Sequence, residues 1–168
     1  MKKIIFIFFC LLSWHGNTQS LPDFQIVNAS GKIVTRDSIL KAKKITVINF
    51  WASWCAPCKE EMREINRFRV EQEYKNIQFV SISIDEAKGV DAAKTWFKTN
   101  KLPWKLYFDT NKVLFNKILE ITENTSTAIP ISIVLDENGT LRAYHSGFDL
   151  ESYKLELLED IRNINENK

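Results

Sequence analysis

The run "KKITVINFWA", Lys43 to Ala52, is apolar and β-branched on consecutive positions, and it passes almost directly into a segment of helical period. Consecutive apolar residues, without alternation, mark a strand buried on both faces. From Cys58 to Tyr74, Met62, Ile65 and Phe68 recur at helical spacing among charges, which predicts an amphipathic helix. "IQFVSISID", Ile77 to Asp85, then reads as a second buried strand. A strand, a helix and another buried strand in that order call for an α/β architecture in which the helix crosses the sheet.

The remaining segments fit around this unit. "LPDFQIVNASGKIVTR" reads as two short strands joined by the turn residues Asn28 to Gly31. A helix around Asp91 to Thr99 precedes the extended piece "KLYFD", and "KVLFNKILEI" reads as a short helix before the polar loop "TENTST". Pro130 opens the strand "ISIVLD", and Asn138-Gly139 is a hairpin turn into "TLRAYHSGF". The amphipathic segment "LESYKLELLEDIRNI" closes the chain. The βαβ units come first and the hairpin last, so the expected sheet is mixed, with helices on both faces. At 168 residues and 45% hydrophobic, the chain suits one domain with a full core.

The N-terminus reads differently. Met1-Lys2-Lys3 precedes nine apolar residues, "IIFIFFCLL", and the polar stretch "SWHGNTQS". Nine residues are too few to span a bilayer and suit a signal-peptide core. The expected division is a signal peptide over 1–20 and a domain over 21–168. This predicts an exported protein, periplasmic or held in the cell envelope; an uncleaved leader would anchor it to the membrane. Loss of Lys2 and Lys3 lowers the basic residues from 23 to 21, equal to the acidic ones. A neutral chain offers no electrostatic footprint for nucleic acid. Cys10 and His15 leave with the leader, so Cys55, Cys58 and His145 remain.

Those counts decide what the cysteine pair does. A zinc site would need four ligands, and no second Cys/His pair exists to supply them. A structural bridge would close a loop of two residues, where constraint of the unfolded chain gives little stability. Redox exchange has a physical basis: Cys55 stands where strand gives way to helix, and free N–H groups with the positive end of the helix dipole stabilise a thiolate. Pro57 is tolerated in the first helical turn. Cys58, one turn on, is placed to resolve a mixed disulfide. No metal or cofactor is called for.

"VINFWASWCAPCKEEM" resembles the active-site segment of the thioredoxin superfamily, and most closely its exported TlpA/ResA-like branch. "LPDFQIVNASGKIV" is similar to that branch's additional N-terminal β-hairpin, and "IPISIVLDENGTL" to its proline, strand and turn. The resemblance spans roughly 22 to 164. It implies a thioredoxin-like α/β fold: a central mixed β-sheet flanked by helices, with an added N-terminal β-hairpin. It also implies a redox-active Cys55–Cys58 disulfide, and it makes Pro130 a cis-proline facing that pair. Ile129 would then offer backbone groups to a substrate strand. Trp54, Ala56 and Pro57 would complete the substrate-binding surface around Cys55.

Two departures matter. Thioredoxins proper carry a buried aspartate where this chain has Asn49, which cannot titrate. The resemblance to ResA-like members places a glutamate after the next strand, and aligning "FVSISIDE" puts Glu86 there as proton acceptor for Cys58. The segment from Thr110 to Ile129 is also longer than the family's usual connection. The expected function is an exported protein-disulfide reductase acting on protein thiols and disulfides, for example in cytochrome c maturation, supplied by a membrane-bound electron donor. The rival readings are a thiol peroxidase of the peroxiredoxin group and a binding module that holds a client strand at Ile129-Pro130. Trp96, Phe97 and Trp104 read as core, and His145 is given no role.

Overall fold

A computed structural model describes residues 19–166. The expected leader lies outside the described residues except for Gln19 and Ser20. Those two pair with neighbouring residues later in the chain: the Leu141 amide donates to the Gln19 carbonyl at 2.8 Å, and Ser20 bridges Thr140.

Seven strands form one sheet in the order β2-β1-β5-β4-β3-β6-β7. They are β1 (Gln25–Asn28), β2 (Ile33–Thr35), β3 (Thr46–Trp51), β4 (Gln78–Ser83), β5 (Lys105–Phe108), β6 (Ile131–Leu135) and β7 (Leu141–Ser146). β3, β4 and β5 run parallel, while β1, β6 and β7 pair antiparallel with their neighbours. The mixed sheet and its added hairpin, β1 with β2, are therefore as expected. Among the described residues five α-helices complete the fold: α1 (Arg36–Ile39), α2 (Ala56–Phe68), α3 (Val90–Thr99), α4 (Val113–Ile121) and α5 (Tyr153–Glu166). Among the described residues no helix is long and apolar enough to cross a membrane.

β3 is buried along its whole length, and alternate residues serve two packing clusters. Val47 meets Ile65 and Phe68 of α2, Val134 of β6, and Leu157 and Ile161 of α5. Ile48 and Phe50 face Leu114, Phe115 and Ile118 of α4, with the Phe50 and Phe115 rings 5.7 Å apart. Trp96 packs on Trp51 at 5.2 Å, and Trp104 meets Phe97 edge-on at 6.1 Å, so these rings belong to the core.

α2 ends earlier than its periodicity predicts. It stops at Phe68, and Tyr74 follows in a separate 3-10 turn, Gln72–Tyr74. Six residues of continuous helix would turn Tyr74 about 240° away from Phe68. Breaking the helix lets both rings enter one cluster, with centroids 4.6 Å apart. The short α1 and the 3-10 turn Leu40–Ala42 were not expected either, because four residues carry too little pattern to register.

One row of the sheet departs from this apolar plan. Ser81 of β4, Asn49 of β3, Ser132 of β6 and His145 of β7 are successive register partners across four strands. Paired residues project to the same face. That face lies beneath α2 and α5.

Candidate active site

The last residue of β3 is Trp51, and α2 begins five residues later at Ala56. Cys55 is the residue that caps α2, with extended backbone, and the Cys58 amide donates to Cys55 Sγ at 3.2 Å. Pro57 occupies the first turn, where its missing N–H breaks no helical bond. The two cysteines are joined, with S–S 2.01 Å and Cα atoms 5.4 Å apart. Cys58 is fully buried, whereas Cys55 keeps 4% of its surface. Only Cys55 is therefore open to an incoming sulfur, and it sits at the positive end of a 13-residue helix.

A second element reaches the pair from across the molecule. The Ile129–Pro130 peptide is cis, and the Ile129 carbonyl lies 3.7 Å from Cys55 Sγ. The Pro130 carbonyl accepts from the Gly147 amide at 2.9 Å, which ties this corner to the end of β7. Trp54 is 70% exposed, so it does not pack into the core, and Ala56 and Pro57 are exposed beside it. Cys55 thus stands between an open apolar surface and a half-buried backbone segment.

The loop that carries Trp54 is held from below by Asp85. Its carboxylate accepts from the Ser53 amide and the Ser53 hydroxyl, both at 2.7 Å, and from the Ser83 hydroxyl at 2.8 Å. A Cβ on Gly89 would come within 2.7 Å of Asp85 Oδ1, so this close approach depends on glycine.

Glu86, the sequence's candidate proton acceptor, stands one residue beyond Asp85 but turns outward. Its side chain is 65% exposed and pairs with Lys88 at 3.2 Å. Besides Asp85, the structure buries the carboxyl group of Glu61, which is fully buried three residues after Cys58. Side chains on a helix lean toward its N-terminus, and residues three apart share a face, so Glu61 lies on the Cys58 side of α2. Ser132 donates to Glu61 Oε1 at 2.6 Å. Glu61 Oε2 and Asn49 Nδ2 are buried and have no hydrogen-bond partner, although Asn49 is close enough to favour the charged carboxylate. Burial pushes the Glu61 carboxyl up to about 7, against the opposing pull of Ser132, Tyr153, Asn49 and, at longer range, His145.

Sequence reasoning passed over Glu61 because it reads as one more charge on an amphipathic helix. The signal was its place: positions 58, 61, 62, 65 and 68 form one stripe, and the glutamate interrupts it. His145 also has a setting that its sequence position did not reveal. Its Nε2 lies 2.7 Å from Asp160 and its Nδ1 3.4 Å from Glu156, both on α5. The Asp160 hydrogen bond raises its pKa, against the effect of burial. Among the described residues no group of three or more His, Cys, Asp or Glu side chains is arranged to hold a metal ion.

A buried carboxyl poised near neutrality beside a disulfide at a helix N-terminus can exchange protons and thiols at physiological pH. Comparison with known proteins agrees with that chemistry. A family profile described as "AhpC/TSA family" matches residues 18–144. The thioredoxin-like protein YneN of Bacillus subtilis is 27% identical over 131 residues, which cover 77% of this chain and 71% of YneN. The thiol-disulfide oxidoreductase ResA of Bacillus cereus is 25% identical over 118 residues, covering 70% of this chain and 62% of ResA. A solved thiol-disulfide oxidoreductase from Bacteroides fragilis superposes with a TM-score of 0.64 at 26% identity, covering 83% of this chain and 99% of that one.

Proposed function

Because the chain belongs to the AhpC/TSA family and is a thiol-disulfide oxidoreductase of thioredoxin-like fold, we propose that its task is to reduce disulfides in exported proteins. The observation that carries this reading is the Cys55–Cys58 pair, with one sulfur accessible at a helix N-terminus and the other sealed.

In the reduced protein the Cys55 thiolate attacks a substrate disulfide, and a mixed disulfide forms as the first substrate thiolate leaves. Cys58 then gives its proton to the Glu61 carboxylate and attacks Cys55 Sγ. The Cys55–Cys58 bond forms, the bond to substrate breaks, and the second substrate sulfur departs with the electron pair. Two electrons have passed from the protein dithiol to the substrate, and an external dithiol restores them. The Ile129 backbone and the exposed Trp54, Ala56 and Pro57 supply the docking surface, with the substrate strand laid along Ile129-Pro130. This mode of docking suits protein substrates.

Export follows from the leader pattern over 1–20, with the domain from 21 to 168 as the mature protein. The resemblance to ResA-like proteins supports exported thiols, those of cytochrome c maturation among them, as substrates, and a membrane-bound dithiol as electron donor. A measured reduction potential tests the direction. A value near about −270 mV is expected for a reductant, whereas one near about −120 mV would make the protein an oxidant and overturn this reading. Peroxide consumption with a recycling dithiol, in place of insulin reduction, would favour the peroxidase chemistry instead. Client capture that survives replacement of both cysteines by serine would favour a binding module.

The proton acceptor is separable from the rest. Glu86→Gln is expected to leave the pH dependence of insulin reduction unchanged between about pH 5 and 9, since that side chain is exposed and paired with Lys88. Glu61→Gln is expected to remove the limb of the profile that titrates near 7. A profile altered by the first variant and not the second would return the role to Glu86.

A further inference from the structure

We propose that Ser132 and Tyr153 are positioning residues for Glu61, their hydroxyls tying one carboxyl oxygen to the C-terminal helix and reserving the other for the Cys58 proton. This rests on the reading of Glu61 as proton acceptor.

The direction of the chain follows from counting protons. Ser132 and Tyr153 each carry one O–H, and Tyr153 donates to Ser132 Oγ at 3.3 Å while Ser132 donates to Glu61 Oε1 at 2.6 Å. Both protons therefore point toward the carboxyl and favour its charged, proton-accepting form. Tyr153 is 2% exposed, and burial together with the nearby Glu61 charge holds its own pKa well above the usual value, so it keeps its proton throughout the working range. On the other side, Asn49 Oδ1 accepts from the Ser81 hydroxyl at 2.6 Å, which itself accepts from Trp104 Nε1 at 2.7 Å. That holds the Asn49 amide by its oxygen, while Glu61 Oε2 and Asn49 Nδ2 have no hydrogen-bond partner.

A buried carboxyl oxygen without a partner is a cost unless something is delivered to it. The Asn49 amide, itself unpartnered on Nδ2, lies beside the carboxyl, and Cys58 stands one turn before Glu61 on the same buried face of α2, where its proton can be delivered. The charged and titratable groups that face Glu61 come from every element packed against it. They are Cys58 on α2, Tyr153 on α5, and His145 on β7 backed by Asp160 and Glu156 of α5; β3 and β6 contribute only the uncharged Asn49 and Ser132. A protonated His145 adds to the pull of the hydroxyl chain. The C-terminal helix thereby acts on the cysteine pair through Glu61.

The experiment reduces the full-length protein with a dithiol and follows single-turnover resolution of its mixed disulfide with a disulfide peptide as a function of pH. The Glu61 carboxyl ¹³C resonance is titrated in the same reduced samples. Ser132→Ala is expected to raise both midpoints by about one pH unit, the weight of one hydrogen bond to a charged group, and Ser132→Thr to restore them. Tyr153→Phe is expected to raise them by a smaller amount while the ring keeps its packing on Phe148, 5.5 Å away. In a Glu61→Gln background both changes should be silent. Unshifted midpoints in Ser132→Ala and Tyr153→Phe, with Glu61→Gln still removing the limb, would overturn the proposal and leave the acceptor in place. A limb that survives Glu61→Gln would overturn both.

Discussion

Cys58→Ser is expected to halt turnover and to accumulate a covalent adduct between Cys55 and its substrate, and Cys55→Ser to remove activity with no adduct at all. The difference follows from access. Cys55 caps α2 and retains exposed surface, whereas Cys58 has none, so attack on a substrate begins at Cys55 alone. Loss of a nucleophile without a substitute lowers turnover by roughly a thousand-fold or more. Insulin reduction with dithiothreitol reads the rate, and non-reducing electrophoresis reads the adduct. Neither change should unfold the domain, because a bridge that closes a two-residue loop constrains the unfolded chain little. Full activity in Cys55→Ser, or an adduct carried by Cys58, would end this assignment of roles.

The second large effect concerns stability. Glu61 titrates at 4.5 when unperturbed and at about 7 in the folded protein, where burial disfavours its charge. Between those values the native state holds a proton that the unfolded chain has released. Stability therefore falls as pH rises from 4.5 toward 7, and the loss is complete above 7. The size of the shift corresponds to about 3 kcal/mol. Glu61→Gln cannot ionise and still offers an oxygen to Ser132, so it should match wild type near about pH 4.5 and exceed it by up to that amount at about pH 8. His145 contributes in the same direction: its raised pKa gives stability present below its unfolded value and lost as pH rises through the folded one. The quantity to read is thus the difference between variant and wild type in urea unfolding at the two pH values. A difference that does not change with pH would show that Glu61 titrates normally.

These two expectations draw on features of unequal visibility in the sequence. The junction of strand and helix around Cys55 was legible because both elements are local and their periods differ sharply. Asn49 was informative in a negative sense, since a residue that cannot titrate moves the acid elsewhere. Glu86 turns outward to Lys88, because the end of a strand faces solvent as readily as it faces a site, and spacing alone does not distinguish them. Glu61 was hidden for the opposite reason: a charge on an amphipathic helix is ordinary, and only burial makes it unusual. Ser132, Tyr153 and His145 were out of reach altogether. Their meeting depends on the β3–β6–β7 register and the angle of α5, which join residues 71 to 104 positions from Asn49 and Glu61 in a way no local pattern encodes.

The row Ser81–Asn49–Ser132–His145 also constrains how the chain assembles. Side chains alternate between faces, so a one-residue slip of β6 against β3 would carry Ser132 to the α4 side and bring Ile131 or Ile133 beneath α2. Glu61 would then lose its donor inside an apolar layer, and a hydroxyl would be stranded against Phe50 and Phe115. For a run buried at every residue like Ile131–Leu135, hydrophobic burial discriminates weakly between correct and shifted pairings. The polar row supplies the discrimination that burial lacks, much as a single buried asparagine fixes the alignment of a coiled coil. Misregistered strands are penalised by the buried Glu61 carboxyl.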